Sequence, residues 1–283
     1  MKHQLLRLTA SIYNTPHLIT PEALNPILEY LEARNTPGFE RLDDKLFSPK
    51  YEEEDGPKYR DGLGVLYVDG SLTYKPVMTM CGEVGTSYQG LLSQVEEMAE
   101  AGVKTIAMIV DSPGGQAHQC FEHAQEVRDI CDDNGIKLIG YADTVAASGG
   151  YAWLSICDEV IANANATVGS IGVVVALMDT SKAYEQAGIK KIYITAGANK
   201  VPFDEDGSFK KSFLQEIQAD IDRLYEEFTS FVSIHTGLDT ATIKSFEAGT
   251  FDGKTAVEKG LVNRVMTNKE FAAYVEAIHK GSI

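Results

Sequence analysis

The sequence predicts an α/β protein built on a mainly parallel sheet. Two features carry that expectation. From Gly64 onward, short β-branched runs alternate with helical periods. Repeated βα units of this length imply right-handed crossovers and parallel strands. The composition also fits a sizeable core: of 283 residues, 44% are hydrophobic, 9% aromatic and 23% charged, which argues against a disordered or fibrous chain. That length suits one large α/β unit or two smaller domains.

Taken in order, residues 1–60 read as an N-terminal helical segment with an acidic linker, and 61–283 as the main domain. An apolar-periodic helix over Pro21 to Leu31 is followed by Pro37, Gly38, Pro49, the run Glu52-Glu53-Glu54-Asp55, Gly56 and Pro57. Val65 to Val68 is a strand. Leu91, Leu92, Val95, Met98 and Ala99 mark one helix face, and Thr105 to Val110 is a buried strand. Cys120, Ala124, Val127 and Cys131 mark the next helix, which Asn134-Gly135 closes before a strand over Lys137 to Ala142. A further helix starts near Ser148. Strands are expected at Glu159 to Ala162, Ile171 to Leu177 and Lys191 to Thr195. From Phe213 to Val232 the apolar residues Leu214, Ile217, Ile221, Leu224, Phe228 and Phe231 repeat at three and four, one long amphipathic helix that packs on the core or joins subunits.

With 25 Lys+Arg against 41 Asp+Glu, the net charge of −16 repels phosphate backbones and anionic lipid, which excludes nucleic acid as a partner. Cys81, Cys120, Cys131 and Cys157 form no CxxC pair and no Cys/His cluster at zinc spacing, so reduced thiols in a cytoplasm are expected, with no metal or cofactor. Arg7 interrupts what would be the apolar part of a secretion signal. The longest apolar run, Ile171 to Met178, is too short to span a bilayer, so no membrane anchor is expected.

Two segments could carry chemistry. Asp111-Ser112-Pro113-Gly114-Gly115 follows a buried strand and precedes a helix, and its paired glycines let backbone N–H groups approach a developing oxyanion. The same residues also suit a plain strand-to-helix connection. In Ala146-Ala147-Ser148-Gly149-Gly150-Tyr151 a serine stands among small residues at a helix start, where it could attack a carbonyl or simply cap the helix. The flanks are not the Gly-x-Ser-x-Gly elbow of α/β-hydrolases. A nucleophilic serine needs a base. None of the six histidines lies between residues 124 and 234; His118 and His123 fall on the expected helix after the Gly-Gly turn. Lys200 is the alternative, since a desolvated ammonium gives up its proton more easily.

In combination, Asp-Ser-Pro-Gly-Gly, Ala-Ala-Ser-Gly-Gly-Tyr-Ala, Ala-Thr-Val-Gly-Ser-Ile-Gly-Val and an isolated Lys before Pro-Phe resemble the signal peptide peptidase A family of serine-lysine peptidases, from about Gly64 to Val265. The resemblance implies Ser148 as nucleophile, Lys200 as general base, Ser170 as the residue that orients the lysine, and N–H groups of Gly114, Gly149 and Gly115 as the oxyanion hole. It also implies the spiral ββα fold shared by the Clp protease subunit and the crotonases. Leu18 to Glu32, Tyr88-Gln89-Gly90 and Ala198-Asn199-Lys200 resemble the tailed-phage capsid assembly branch. Ser148-Gly149-Gly150 is closer to the cellular peptidases.

The expected function is therefore a serine endopeptidase that cleaves phage scaffold and capsid proteins in the host cytoplasm or prohead. It would need no cofactor, and ring-forming family members imply a homo-oligomer. The alternatives are a crotonase-type acyl-CoA enzyme, a host-type signal-peptide or protein-fragment peptidase, and a non-enzymatic shell component.

Overall fold

The computed structural model describes residues 12–33, 59–76, 78–79, 82–83, 85–179, 181–197, 200–204 and 206–282. The expected acidic linker at Glu52 to Asp55 lies outside them. The chain divides into two compact units: among described residues, the larger comprises 17–173 and 228–282, and the smaller 12–16 and 174–227.

The larger unit opens with β1 (Pro16–Ile19) and α1 (Pro21–Ala33), then β2 (Tyr59–Arg60), β3 (Leu63–Asp69) and β4 (Leu72–Thr73). A short hairpin, β5 (Met78–Thr79) and β6 (Gly82–Glu83), precedes β7 (Thr86–Ser87) and α2 (Tyr88–Glu100). Next come β8 (Thr105–Ser112), β9 (Gly114–Gln116), α3 (Cys120–Asn134), β10 (Lys137–Ala147), α4 (Gly149–Ser155), β11 (Glu159–Ala162) and β12 (Thr167–Gly169). The smaller unit holds β13 (Val174–Val175), α5 (Ser181–Gln186) and the start of α6 (Lys211–Thr236), whose last turns from Phe228 belong to the larger unit. The chain closes with α7 (Thr240–Ser245), β14 (Thr250–Asp252), α8 (Gly253–Glu258), β15 (Arg264–Val265) and α9 (Asn268–His279).

As expected, β3, β8, β10, β11, β12 and β15 run parallel, with β2 and β14 antiparallel at the edges. The helix ends follow local chemistry. Ser87 accepts the Gly90 N–H to start α2, and Gly135, at φ 62°, ends α3 in the left-handed cap that glycine favours. Thr267 and Glu270 form a capping box at α9. On one sheet face α2, α3 and α4 bury Leu91, Val95, Met98, Ala124, Val127 and Trp153. On the other, Phe271 and Val275 of α9 pack over Ala107, Ile139, Tyr141 and Ile161.

The central strand β10 forks. Its first half, Ile139 to Ala142, pairs with β11, and its last residues, Val145 to Ala147, pair with β12; the register with β8 shifts between Ala142 and Ala146. That fork carries the chain to Ser148 at the carboxyl ends of the strands. A second sheet begins where β8 ends: β9 pairs antiparallel with β1 and parallel with β4, which pairs with β7.

Three expectations need correction. The strand expected over Ile171 to Leu177 is only Val174–Val175, because Ser170 turns the backbone to φ 54° just before it and residues 172–178 are half-buried, with no full sheet face to cover. No strand forms over Lys191 to Thr195. That β-branched run is exposed, with Ile192 at 76% and Ile194 at 98%, so nothing there rewards pairing. Gly114-Gly115 does not lead straight into a helix either: it is strand β9, and the helix begins at Cys120. His118 therefore precedes that helix, and His123 lies within it.

The last turn of α6 generates a pH test. The half-buried His235 ring puts Nε2 3.1 Å from Gln125 Oε1 and meets the Phe231 ring edge-on at 4.6 Å. Burial, then the Arg128 guanidinium, pushes its pKa below the ordinary value of 6.5, while Asp129 and Asp132 pull the other way. The unfolded chain therefore takes up this proton first as pH falls, and stability declines from about pH 6.5 down through the lower folded-state pKa. Urea unfolding at pH 7.5 and 5.5 should show wild type losing more stability on acidification than His235→Gln.

Candidate active site

Ser148 stands at a sharp passage from strand to helix. Its N–H donates to the Gly169 carbonyl at 2.8 Å, continuing the β10–β12 ladder, while its own carbonyl accepts from Tyr151 and Ala152 to open α4. The backbone is at φ 54°, ψ −121°, a region that an L residue occupies only when its surroundings over-determine it. Although it is the N-cap, its side chain makes no capping hydrogen bond; the hydroxyl donates instead to the Gly172 carbonyl over a long 3.4 Å. The residue is fully buried. The capping role left open by the sequence is thus not how this hydroxyl is used.

Glycine is required around it by close backbone approach. A Cβ on Gly114, at φ 98°, would lie 1.9 Å from the Leu18 carbonyl oxygen and 2.8 Å from the Gly149 nitrogen. A Cβ on Gly150 would lie 2.6 Å from the Ser112 carbonyl oxygen. Gly114 and Gly149 are therefore brought together beside Ser148. The N–H groups of Gly149 and Gly150 belong to the first turn of α4, where no intrahelical acceptor exists. The Gly114 N–H donates to Ser112 Oγ at 3.1 Å, and that buried hydroxyl donates to the Gly70 carbonyl at 2.6 Å. Ser112 was missed as a partner; its place inside Asp-Ser-Pro-Gly-Gly was the available signal. A Cβ on Gly115 would lie 1.9 Å from the Leu72 carbonyl oxygen of β4.

Ser170, also at φ 54° and 8% exposed, directly follows the Gly169 that holds the Ser148 N–H, and its own N–H donates to the Gly249 carbonyl at 2.9 Å. Lys200 belongs to the smaller unit and is exposed, with its N–H donating to the Gly197 carbonyl at 3.2 Å. The exposed His118 and the buried His123 both set their rings edge-on to Tyr74, and His123 Nδ1 is 3.1 Å from the Gln119 carbonyl oxygen. Cysteine offers no rival nucleophile among the described residues. Burial pushes Cys120 up to about 12 and Cys131 up to about 11, and raises Cys157 well above the ordinary thiol value, which keeps all three protonated at neutral pH. Cys81 lies outside the described residues. Among those residues, no helix is long and apolar enough to cross a membrane.

A strained serine between a parallel strand and a helix, with first-turn N–H groups beside it, can attack a carbonyl and hold the resulting oxyanion. Comparison with known proteins points to a peptidase. The model of peptidase family S49 matches residues 131–281. The chain is 26% identical over 207 residues to the head-tail preconnector protein GP5 of Enterobacteria phage P21, covering 73% of this chain and 41% of that protein. It is 24% identical over 225 residues to the capsid assembly protease C of Escherichia phage lambda (77% and 51%). To a putative signal peptide peptidase SppA of Enterococcus faecium it is 29% identical over 181 residues (63% and 52%). The chain thus spans about half the length of these relatives.

The Gly114 packing is open to a direct check. Gly114→Ala adds a methyl where the Leu18 carbonyl already stands, at a φ that alanine resists, and should cost on the order of 4 kcal/mol or more in urea unfolding.

Proposed function

This chain belongs to peptidase family S49, and on that premise we propose that it is a serine endopeptidase in which Ser148 is the nucleophile and Lys200 the general base. The observation that carries the reading is the Ser148 turn, strained, uncapped and flanked by Gly114 and Gly149. In the proposed reaction neutral Lys200 takes the Ser148 proton as Oγ bonds to the peptide carbonyl carbon. The carbonyl π electrons move onto oxygen, which the Gly149 N–H receives, joined by the Gly114 N–H once that turns from Ser112. Collapse breaks the C–N bond, and the Lys200 ammonium returns the proton to the leaving amine. Water, deprotonated by the same lysine, then hydrolyses the acyl-enzyme. Ser170 orients the lysine amine. Because Ser148 is buried, its hydroxyl is shielded from bulk water until a peptide displaces its present neighbours.

The substrates we propose are scaffold and capsid proteins of a tailed phage, processed in the host cytoplasm or prohead. The phage relatives, a head-tail preconnector protein and a capsid assembly protease, support this. A host-type peptidase is the second reading, favoured by Ser148-Gly149-Gly150 and by the SppA relative. Self-association is supported by α6: Phe213, Ile217, Ile221 and Leu224 are only half-buried, and Leu214 is 42% exposed.

The test is mass spectrometry of the fragments formed when the purified chain meets proteins encoded beside it. Ser148→Ala should abolish cleavage with little change in Tm. Lys200→Arg should give a folded, inactive protein, because a guanidinium does not deprotonate. Near-normal activity in Lys200→Arg would overturn the dyad.

A further inference from the structure

The larger unit concentrates its backbone strain around Ser148. Besides Ser148 and Ser170, the non-glycine residues Glu247 and Ala248 have φ of 50° and 54°, and Gly169 is at 121°. All five meet through one short segment, the turn between α7 and β14. The Gly249 carbonyl accepts the Ser170 N–H, and it leaves only 2.6 Å to the place where a Gly169 Cβ would be. Beyond Ser170 the chain turns back beneath the same segment: a Cβ on Gly172 would lie 2.7 Å from the Ala248 methyl. The Gly172 carbonyl is the group that receives the Ser148 hydroxyl.

The segment is pinned from behind. Phe246 and Phe251 meet edge to face at 5.6 Å, and the Lys259 ammonium lies 4.9 Å and 4.5 Å from their ring centres. Gly249 closes the turn with a 2.7 Å hydrogen bond to the Phe246 carbonyl. Glu247 and Ala248 are exposed, so core packing does not explain why they hold a left-handed backbone without being glycine. At Ala248 the methyl stands 2.7 Å from where a Gly172 Cβ would be, so the two residues lie against each other.

We propose that Ala248 is a positioning residue, whose methyl fixes the Gly172 carbonyl and the adjoining Ser170 segment and thereby the direction of the Ser148 hydroxyl. The inference rests on Ser148 being the nucleophile. Strain at Ala248 is then retained because it sets geometry. Glycine there would relax the backbone and remove the contact at once, so stability and reactivity should move in opposite directions.

The experiment uses the full chain and a biotinylated diaryl phosphonate that phosphonylates reactive serines, read as a second-order labelling rate with the labelled residue found by mass spectrometry. Ala248→Gly should label Ser148 about tenfold more slowly, short of the roughly 100-fold expected of a 1 Å misplacement, while its Tm holds or rises. Asp61→Gly relaxes a left-handed residue just before β3, at the opposite end of that strand from the site, and should raise Tm with no change in labelling. Gly172→Ala should also slow labelling. The swap Gly172→Ala/Ala248→Gly, which returns one methyl to the contact from the other side, should recover most of the rate, a coupling that independent sites do not show.

Labelling of Ala248→Gly at the wild-type rate would overturn the proposal, as would slowed labelling that simply tracks a lower Tm or a swap slower than both single variants. Failure of wild-type Ser148 to label at all would instead overturn the nucleophile reading on which the proposal stands.

Discussion

Three lengths of backbone converge at the start of α4 more closely than side chains permit. The Leu18 carbonyl of β1, Gly114 of β9 and Gly149 of α4 leave no room for a Cβ at Gly114, and Ser112 closes on Gly150 from the same side. This contact forces Ser148 into its strained conformation, because β10 must end and α4 must begin within one residue. The rest of the larger unit holds the convergence in place. The parallel sheet aims β8 and β10 at it, helices cover both faces, and β1 reaches it from the N-terminal segment.

Much of this arrangement was legible because it is written in local pattern. The helix face of Leu91, Val95 and Met98, the Gly135 stop and the strands at Thr105 and Glu159 each follow from periodicity or a cap. Ser148 could be placed at a helix start because small residues follow a buried strand. What stayed hidden was set by distant segments. Gly114-Gly115-Gln116 has no strand propensity of its own and is a strand only because β1 and β4 flank it. The acceptor for the Ser170 N–H is Gly249, far along the chain, and no spacing rule links the two. In the opposite direction, Lys191 to Thr195 carries β-branched residues yet forms no strand, since propensity without a face to bury decides little.

The electrostatics of the larger unit follow the same economy. Its buried thiols are neutral, and its buried guanidinium, Arg128, is matched by Asp132 at 2.7 Å and Asp158 at 3.5 Å. The carboxylate at the rim, Asp111, takes the Thr144 hydroxyl at the point where β10 forks. At the Ser148 turn the first-turn N–H groups of α4 are backbone dipoles held in place by the helix, the kind of group that stabilises negative charge as it appears.

The fork in β10 gives one strand two neighbourhoods. Ile139 to Ala142 lie between β8 and β11, beneath Phe271 and Val275, whereas Val145 to Ala147 pair with β12, with Ala146 also opposite Ser112 of β8, and β12 pairs in turn with the edge strand β14. Amide protons along a single strand should therefore fall into separate exchange classes. Those of the first half should exchange more slowly than those of the second, which lie nearer the sheet edge that β14 forms. The residue after the strand is Ser148, so the site hangs on the half that lies nearer that edge, while the root of the same strand lies under α9.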